Sequence, residues 1–129
     1  MYNYGEIKLQ NKQDAFSAMY FFVSTSILEF CGRRNGEKIC REAMRRAGRE
    51  SGLAQKKKFI AAGIKTNLQT LFHSARDYVP DPRFHARELF NEEQRQVYEI
   101  FTCPMADFWN SRGGGKVGSF FCEEYHYAR

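Results

Sequence analysis

The sequence holds one tryptophan, three prolines and four cysteines among 129 residues. It contains no run of the ~18 apolar residues that a membrane-spanning helix needs, so no such helix and no membrane partner are expected. The start, Met1-Tyr2-Asn3-Tyr4-Gly5-Glu6, has no basic stretch followed by an apolar one. The expectation is a chain without a secretion signal, working in the cytoplasm. Cys31, Cys40, Cys103 and Cys122 form no Cys-x-x-Cys pair, so they read as thiols rather than a disulfide framework. Arg112-Gly113-Gly114-Gly115-Lys116 is rich in glycine, yet it lacks the spacing and the strand-to-helix context of a phosphate-binding loop. It reads as a connector. There is no internal repeat and no low-complexity tract.

What is present suits one globular domain over residues 1–129. Hydrophobic residues make up 43% and charged residues 27%, which excludes disorder and fibrous repeats. The 12 phenylalanines and 7 tyrosines supply a core and material for an apolar ligand pocket. The net charge of +5 is unevenly placed. Residues 33–58 carry 10 basic and 3 acidic side chains, and the rest of the chain is slightly acidic.

Apolar residues at helical spacing from Ala15 through Phe30 predict a first helix over 13–30, with Asp14 as its N-cap and Gly32, Asn35 and Gly36 ending it. A second helix is expected over 37–51, closed by Gly52. Its stripe of Ile39, Cys40, Ala43, Met44, Ala47 and Gly48 is mostly small and lets another backbone come close. Arg41, Arg45, Arg46 and Arg49 lie opposite and read as a solvated face. A third helical pattern covers 59–78, with Gly63 as a break or kink inside it and Pro80 and Pro82 as a firm stop. Beyond it, residues 84–90 and 94–102 read as a β-hairpin joined by a polar turn at 91–93. Cys103-Pro104 closes the second strand, a short helix follows over 105–110, and residues 117–129 form a last helix. The fold class is α+β: N-terminal helices, a hairpin, then a C-terminal helix.

Reactive side chains concentrate in the last quarter: Cys103, Asp107, Trp109, Cys122, Glu123, Glu124, Tyr125, His126 and Tyr127. Thiols, an imidazole and carboxylates are what nucleophilic and general acid–base chemistry requires. On a helix, Cys122 and His126 stand four residues apart and share a face. Such a pair suits an activated thiolate, and equally two ligands of a metal. Cys103, Cys122 and His126 make only three candidate ligands at no usual zinc spacing, so neither metal nor other cofactor is expected. Taken singly, each cysteine also fits a buried structural role.

The string Ile100-Phe101-Thr102-Cys103-Pro104-Met105-Ala106-Asp107-Phe108-Trp109, followed after a glycine-rich gap by Phe120-Phe121-Cys122-Glu123-Glu124-Tyr125-His126, resembles the L-2-amino-thiazoline-4-carboxylic acid hydrolase family. The family pattern is a Cys-Pro ending a strand, a Trp a few residues on, a Gly-containing loop, then an aromatic-Cys-Glu motif opening a helix. The stretch from Arg41 to Glu50 is similar to the family's N-terminal part, and the resemblance covers residues 36–129. Many members carry an Asp three residues after the second Cys, where this sequence has Tyr125 and then His126. Members usually continue into further strands, so the resemblance implies a C-terminally shortened member in which either a second copy of the chain completes the sheet or the active site is incomplete.

The resemblance further implies ring-opening hydrolysis of a cyclic amidine thioether, a small-molecule substrate, to an N-carbamoyl-cysteine type of product. In that reading His126 is general base or acid, Cys122 or Cys103 is nucleophile or pocket wall, and Glu123 orients. Trp109, Tyr125 and Asp107 are the substrate-binding candidates, and an arginine clamps the carboxylate. Two alternatives remain: a non-catalytic ligand-binding or assembly module, and a nucleic-acid binder using residues 33–58. Against the latter, there is no helix-turn-helix or aromatic RNA motif, and Glu37, Glu42 and Glu50 interrupt the positive field.

Overall fold

The computed structural model describes residues 2–6, 8–74 and 81–128. The elements run α1 (Lys12–Cys31), α2 (Arg33–Ala62), α3 (Leu68–Ser74), β1 (His85–Glu92), β2 (Arg95–Thr102), α4 (Pro104–Ser111) and α5 (Gly115–Ala128). The α+β class and the order of helices, hairpin and C-terminal helix are as the sequence predicts. Two compact units emerge, Met1–Gly52 with Pro104–Arg129, and Leu53–Cys103. Among the described residues no helix is long and apolar enough to cross a membrane.

The first unit is a helical core. Helix α1 begins one turn earlier than its apolar pattern, because Asn11 and not Asp14 is the N-cap. The Asn11 side chain accepts from the Asp14 amide, and Asp14 Oδ2 accepts from the Gln10 amide at 2.8 Å. Asp14 thus sits three residues inside, and its carboxylate returns to the amide just before the cap. The core gathers Tyr20, Phe21 and Leu28 from α1, Cys40 from α2, Trp109 from α4, and Val117, Phe120 and Phe121 from α5. Each large ring removed from water contributes about 2–3 kcal/mol. Two buried hydrogen bonds fix the arrangement. Trp109 Nε1 donates to the Ser17 carbonyl at 3.0 Å, and Tyr20 Oη donates to the Val117 carbonyl at 2.6 Å.

The small residues of α2 do allow close approach. A Cβ at Gly36 would lie 2.8 Å from Leu28 Cα, and one at Gly48 would strike the Tyr125 carbonyl. Gly36, Cys40, Met44 and Gly48 recur every fourth residue, so they form one seam, with α1 at one end and α5 at the other. Asn35 and Gly36 therefore lie inside α2, and Gly32 alone separates it from α1.

Gly52 does not end α2, which continues to Ala62. A helical glycine costs only about 1 kcal/mol, and the residues after it (Leu53, Ala54, Gln55, Lys56) are strong helix formers. The stop is Gly63, at φ 67°, where the Gly63 amide reaches the Ile60 carbonyl and the Ile64 amide the Phe59 carbonyl. This left-handed cap divides the predicted 59–78 helix. Residues 59–62 finish α2, α3 is only Leu68–Ser74, and the predicted end at Tyr78 lies outside the described residues.

In the second unit Asn67 caps α3, its Oδ1 accepting from the Thr70 amide at 2.8 Å. The Leu68 amide donates to the Glu93 carbonyl, tying α3 to the hairpin turn. Strands β1 and β2 pair antiparallel, with Glu92 opposite Arg95 and Arg87 opposite Glu99. Asn91 and Glu92 therefore belong to β1 rather than to the turn, which is Glu93-Gln94. The register slips between Glu88 and Phe90, so Leu89 forms a bulge.

Candidate functional site

Helix α5 carries most of the predicted site. It starts at Gly115, two residues before the predicted start, because the chain turns within three residues after α4. Gly113, at φ 76°, donates to the Asn110 carbonyl, and the Gly114 amide reaches the Trp109 carbonyl at 2.7 Å. The Gly114 carbonyl then accepts from the Gly118 amide, which opens α5. Gly115 and Lys116 of the predicted connector are thus helical.

Three sides of α5 have different neighbours. Val117, Gly118, Phe120 and Phe121 are buried in the core. Cys122 and His126 lie one turn apart on one face of the helix, as predicted, and both are exposed. The His126 ring meets the Phe121 and Tyr125 rings edge-on, both at 5.6 Å. Tyr125 is half-buried and stacks on Phe121 at 4.9 Å. The structure therefore brings Tyr125 and His126 together around the Phe121 ring, with Cys122 next to Phe121 in the chain.

The third side faces α2. Arg41 donates to Glu37 at 2.9 Å, to Glu123 at 2.7 Å and to Glu124 at 3.1 Å, while its guanidinium covers the Phe120 ring at 4.7 Å. Arg45 donates to Glu124 at 2.8 Å and to Glu42 at 2.9 Å, and Arg46 joins Glu42 at 3.0 Å. Hydrogen bonds from Arg45, then Arg41, hold the Glu124 carboxyl below the usual carboxylate range, and Arg46 and Arg45 do the same for Glu42. The hydrogen bond to Glu123 is the largest influence raising the Arg41 guanidinium. The reading of Arg41 and Arg45 as a solvated face is corrected here: the carboxylates of α5 draw both into an interhelical ion network. The same pairing removes Arg41, Arg45 and Arg46 from the positive field of residues 33–58. The i,i+4 spacings Glu37–Arg41 and Glu42–Arg46 were the sequence signal for part of this network. Nothing local pointed to Glu124.

The remaining candidates stand on other elements, Trp109 and Asp107 on α4 and Cys103 after β2. Trp109 is 1% exposed, wedged between Tyr20 and Phe121 at 5.2 and 5.7 Å, so its ring belongs to the core. Asp107 is exposed in the first turn of α4. Cys103 is half-buried at the end of the second unit, just after β2. Cys40, buried in the core, has its thiol pushed up by desolvation. Among the described residues no three His, Cys, Asp or Glu side chains form a group able to hold a metal ion.

Comparison with known proteins extends the resemblance carried by residues 36–129 toward the N-terminus and takes in α1. No curated protein and no solved structure matches the chain. The model of one family, described as L-2-amino-thiazoline-4-carboxylic acid hydrolase, matches residues 10–128, from the cap of α1 to the end of α5. The chain belongs to the L-2-amino-thiazoline-4-carboxylic acid hydrolase family.

Proposed function

We propose that this chain hydrolyses 2-amino-thiazoline-4-carboxylate, or a close cyclic amidine thioether, in the cytoplasm. The observation that carries the reading is the family match over residues 10–128. In the reaction a water oxygen bonds to the ring carbon between sulfur and nitrogen. The carbon–sulfur bond then breaks, and the sulfur leaves as a thiol with a proton from the protein or solvent. The product is an N-carbamoyl-cysteine.

His126 is the proposed proton carrier, taking the proton of the attacking water and returning one to sulfur. Cys122, one turn away on the same exposed side, is the proposed nucleophile or wall of the site. Cys103 is the alternative candidate for that role. Glu123 orients the site while anchored by Arg41 at 2.7 Å. Tyr125 offers its half-buried ring to the substrate, and Asp107 a carboxylate for the amidine nitrogens. Trp109 serves from the core, by fixing α4 against α1 through its bond to Ser17. Arg41 and Arg45 are already saturated with carboxylates, so the substrate carboxylate is assigned to another cation.

The test is release of thiol from the cyclic substrate, followed with a thiol-reactive chromophore. The wild-type chain releases thiol, and His126→Ala loses activity by about 10²-fold or more. Ring opening at the wild-type rate in both His126→Ala and Cys122→Ala would sink these roles. The exposure of Cys122 and His126 favours a second reading, a non-catalytic ligand-binding module. That reading predicts binding of the cyclic compound with no thiol released.

A further inference from the structure

Helix α1 packs into the core on one side, and on its outer side Tyr4 stacks on Phe22 at 5.6 Å and donates to Glu29 at 2.9 Å. Between Asp14 and Glu29 it carries no charged residue, and its outer side presents Ala15, Met19, Phe22, Val23, Ser26 and Phe30. Met19 is 62% exposed, Val23 53% and Phe30 89%. A helix facing water on one side normally carries charged residues there. A contiguous exposed apolar stripe of this kind marks a contact surface.

The ends of the stripe indicate the occupant. On the same exposed side, Lys12 stands at its N-terminal end and Glu29 at its C-terminal end. Seventeen residues of helix put them about 25 Å apart. Set two copies of α1 antiparallel about a twofold axis midway between these charges. Lys12 of each copy then falls opposite Glu29 of the other. At the same register Met19 meets Phe22 near the axis and Ala15 meets Ser26 beyond it, while Val23 falls beside Ala18 and Phe30 beside Asn11. A parallel pairing would oppose Lys12 to Lys12 and Glu29 to Glu29. A strongly charged partner would find no countercharge along the middle of the stripe.

We propose that α1 is the contact helix of a twofold-symmetric antiparallel dimer of this chain. Such an interface is isologous, with the same patch serving both copies. One helix face per copy stays near or below the ~1,200 Å² of the smallest stable interfaces, so the dimer forms at micromolar concentration rather than nanomolar. This contact is independent of the proposed chemistry and of the hairpin edges.

Sedimentation velocity of the full chain from about 5 to about 300 µM tests it, across the range where a contact of this size would associate. The wild-type chain is expected to pass from monomer to dimer over that range. Val23→Glu puts two carboxylates near the axis and is expected to stay monomeric throughout. Lys12→Glu replaces two attractions with two repulsions and weakens the dimer about tenfold. Combining Lys12→Glu with Glu29→Lys restores it. All these positions are exposed, and the fluorescence of Trp109 checks that each variant is folded. A wild-type chain still monomeric at the top concentration overturns the proposal. So does a dimer that Val23→Glu leaves intact, which would point to pairing through the hairpin, or a double charge reversal that restores nothing.

Discussion

Replacing Gly118 by alanine tests how tightly α5 is seated on the core. A methyl at this position would run into Trp109 Cε3, with Trp109 Cδ2 at 3.0 Å and Cβ at 3.3 Å. In a helix the substitution by itself gains about 1 kcal/mol. Forcing a methyl into a packed site costs about 1–3 kcal/mol. The upper end applies here, because the indole cannot swing away: its N–H is held by Ser17 at 3.0 Å, and Tyr20 and Phe121 close its sides. The net expectation for Gly118→Ala is a loss of about 1–2 kcal/mol. Trp109→Phe removes the bond to Ser17, about 1 kcal/mol, and the benzo ring, about 1–2 kcal/mol of cavity. The benzo ring is also what the Gly118 methyl would hit. The double variant should therefore cost clearly less than the sum of the two, with a coupling of about 1–2 kcal/mol. Urea unfolding followed by far-UV circular dichroism measures all four proteins, since Trp109 is the sole tryptophan and its replacement removes the fluorescence signal. An alanine variant as stable as the wild type, or additivity within about 0.5 kcal/mol, would refute the packing described.

Two pH limbs follow from the hydrogen bonds. Arg45 and Arg41 depress the Glu124 carboxyl, so its stabilisation is present above the unfolded carboxylate pKa of about 4.3 and is lost as pH falls through the lower folded value. Glu124→Gln should lower Tm at pH 7 and flatten the acid limb of a Tm-against-pH curve; an unchanged acid limb contradicts the network. Burial raises the Tyr20 phenol above its ordinary value, so its contribution holds below pH ~10 and is lost as pH rises toward the folded value. Tyr20→Phe should cost about 1 kcal/mol at pH 7 for the lost bond to Val117 and give a shallower alkaline limb, and equal alkaline limbs would reject the assignment.

The parts of the fold that depend on neighbours in the chain were legible from it. Pro104 marks the start of α4, and the β-branched and aromatic residues Val97, Tyr98, Ile100 and Phe101 mark β2. The boundaries that misled are those set by backbone hydrogen bonds or by longer range. Gly52 and Gly63 look alike in sequence. Only Gly63 is followed by a residue whose amide can return to Phe59, and Gly52 sits among strong helix formers. Asp14 is a fair N-cap by type, yet Asn11 takes that place and turns Asp14 into its partner. The hairpin turn starts two residues later than its polar composition suggests, because Asn91 and Glu92 find direct partners in Gln96 and Arg95.

The candidate site was legible on its exposed side and hidden on its bound side, and helix geometry explains both. Cys122 and His126 share a face because they are four residues apart, which needs no tertiary information. Trp109 looked like a ligand-facing ring because its type is common in pockets, but the partner that holds it, Ser17, stands far away in the chain. Glu124 lies between two chemically suggestive neighbours, and only the position of α2 separates its role from theirs. Its side chain is 18% exposed against 58% for Glu123, and it takes two arginines where Glu123 takes one. The close contact at Gly48 brings α2 and α5 near enough for this network, since a side chain there would strike the Tyr125 carbonyl. The small-residue stripe and the arginine face are thus two sides of one contact. The glycine lets the backbones meet, and the arginines lock α5 so that its remaining side presents Cys122 and His126.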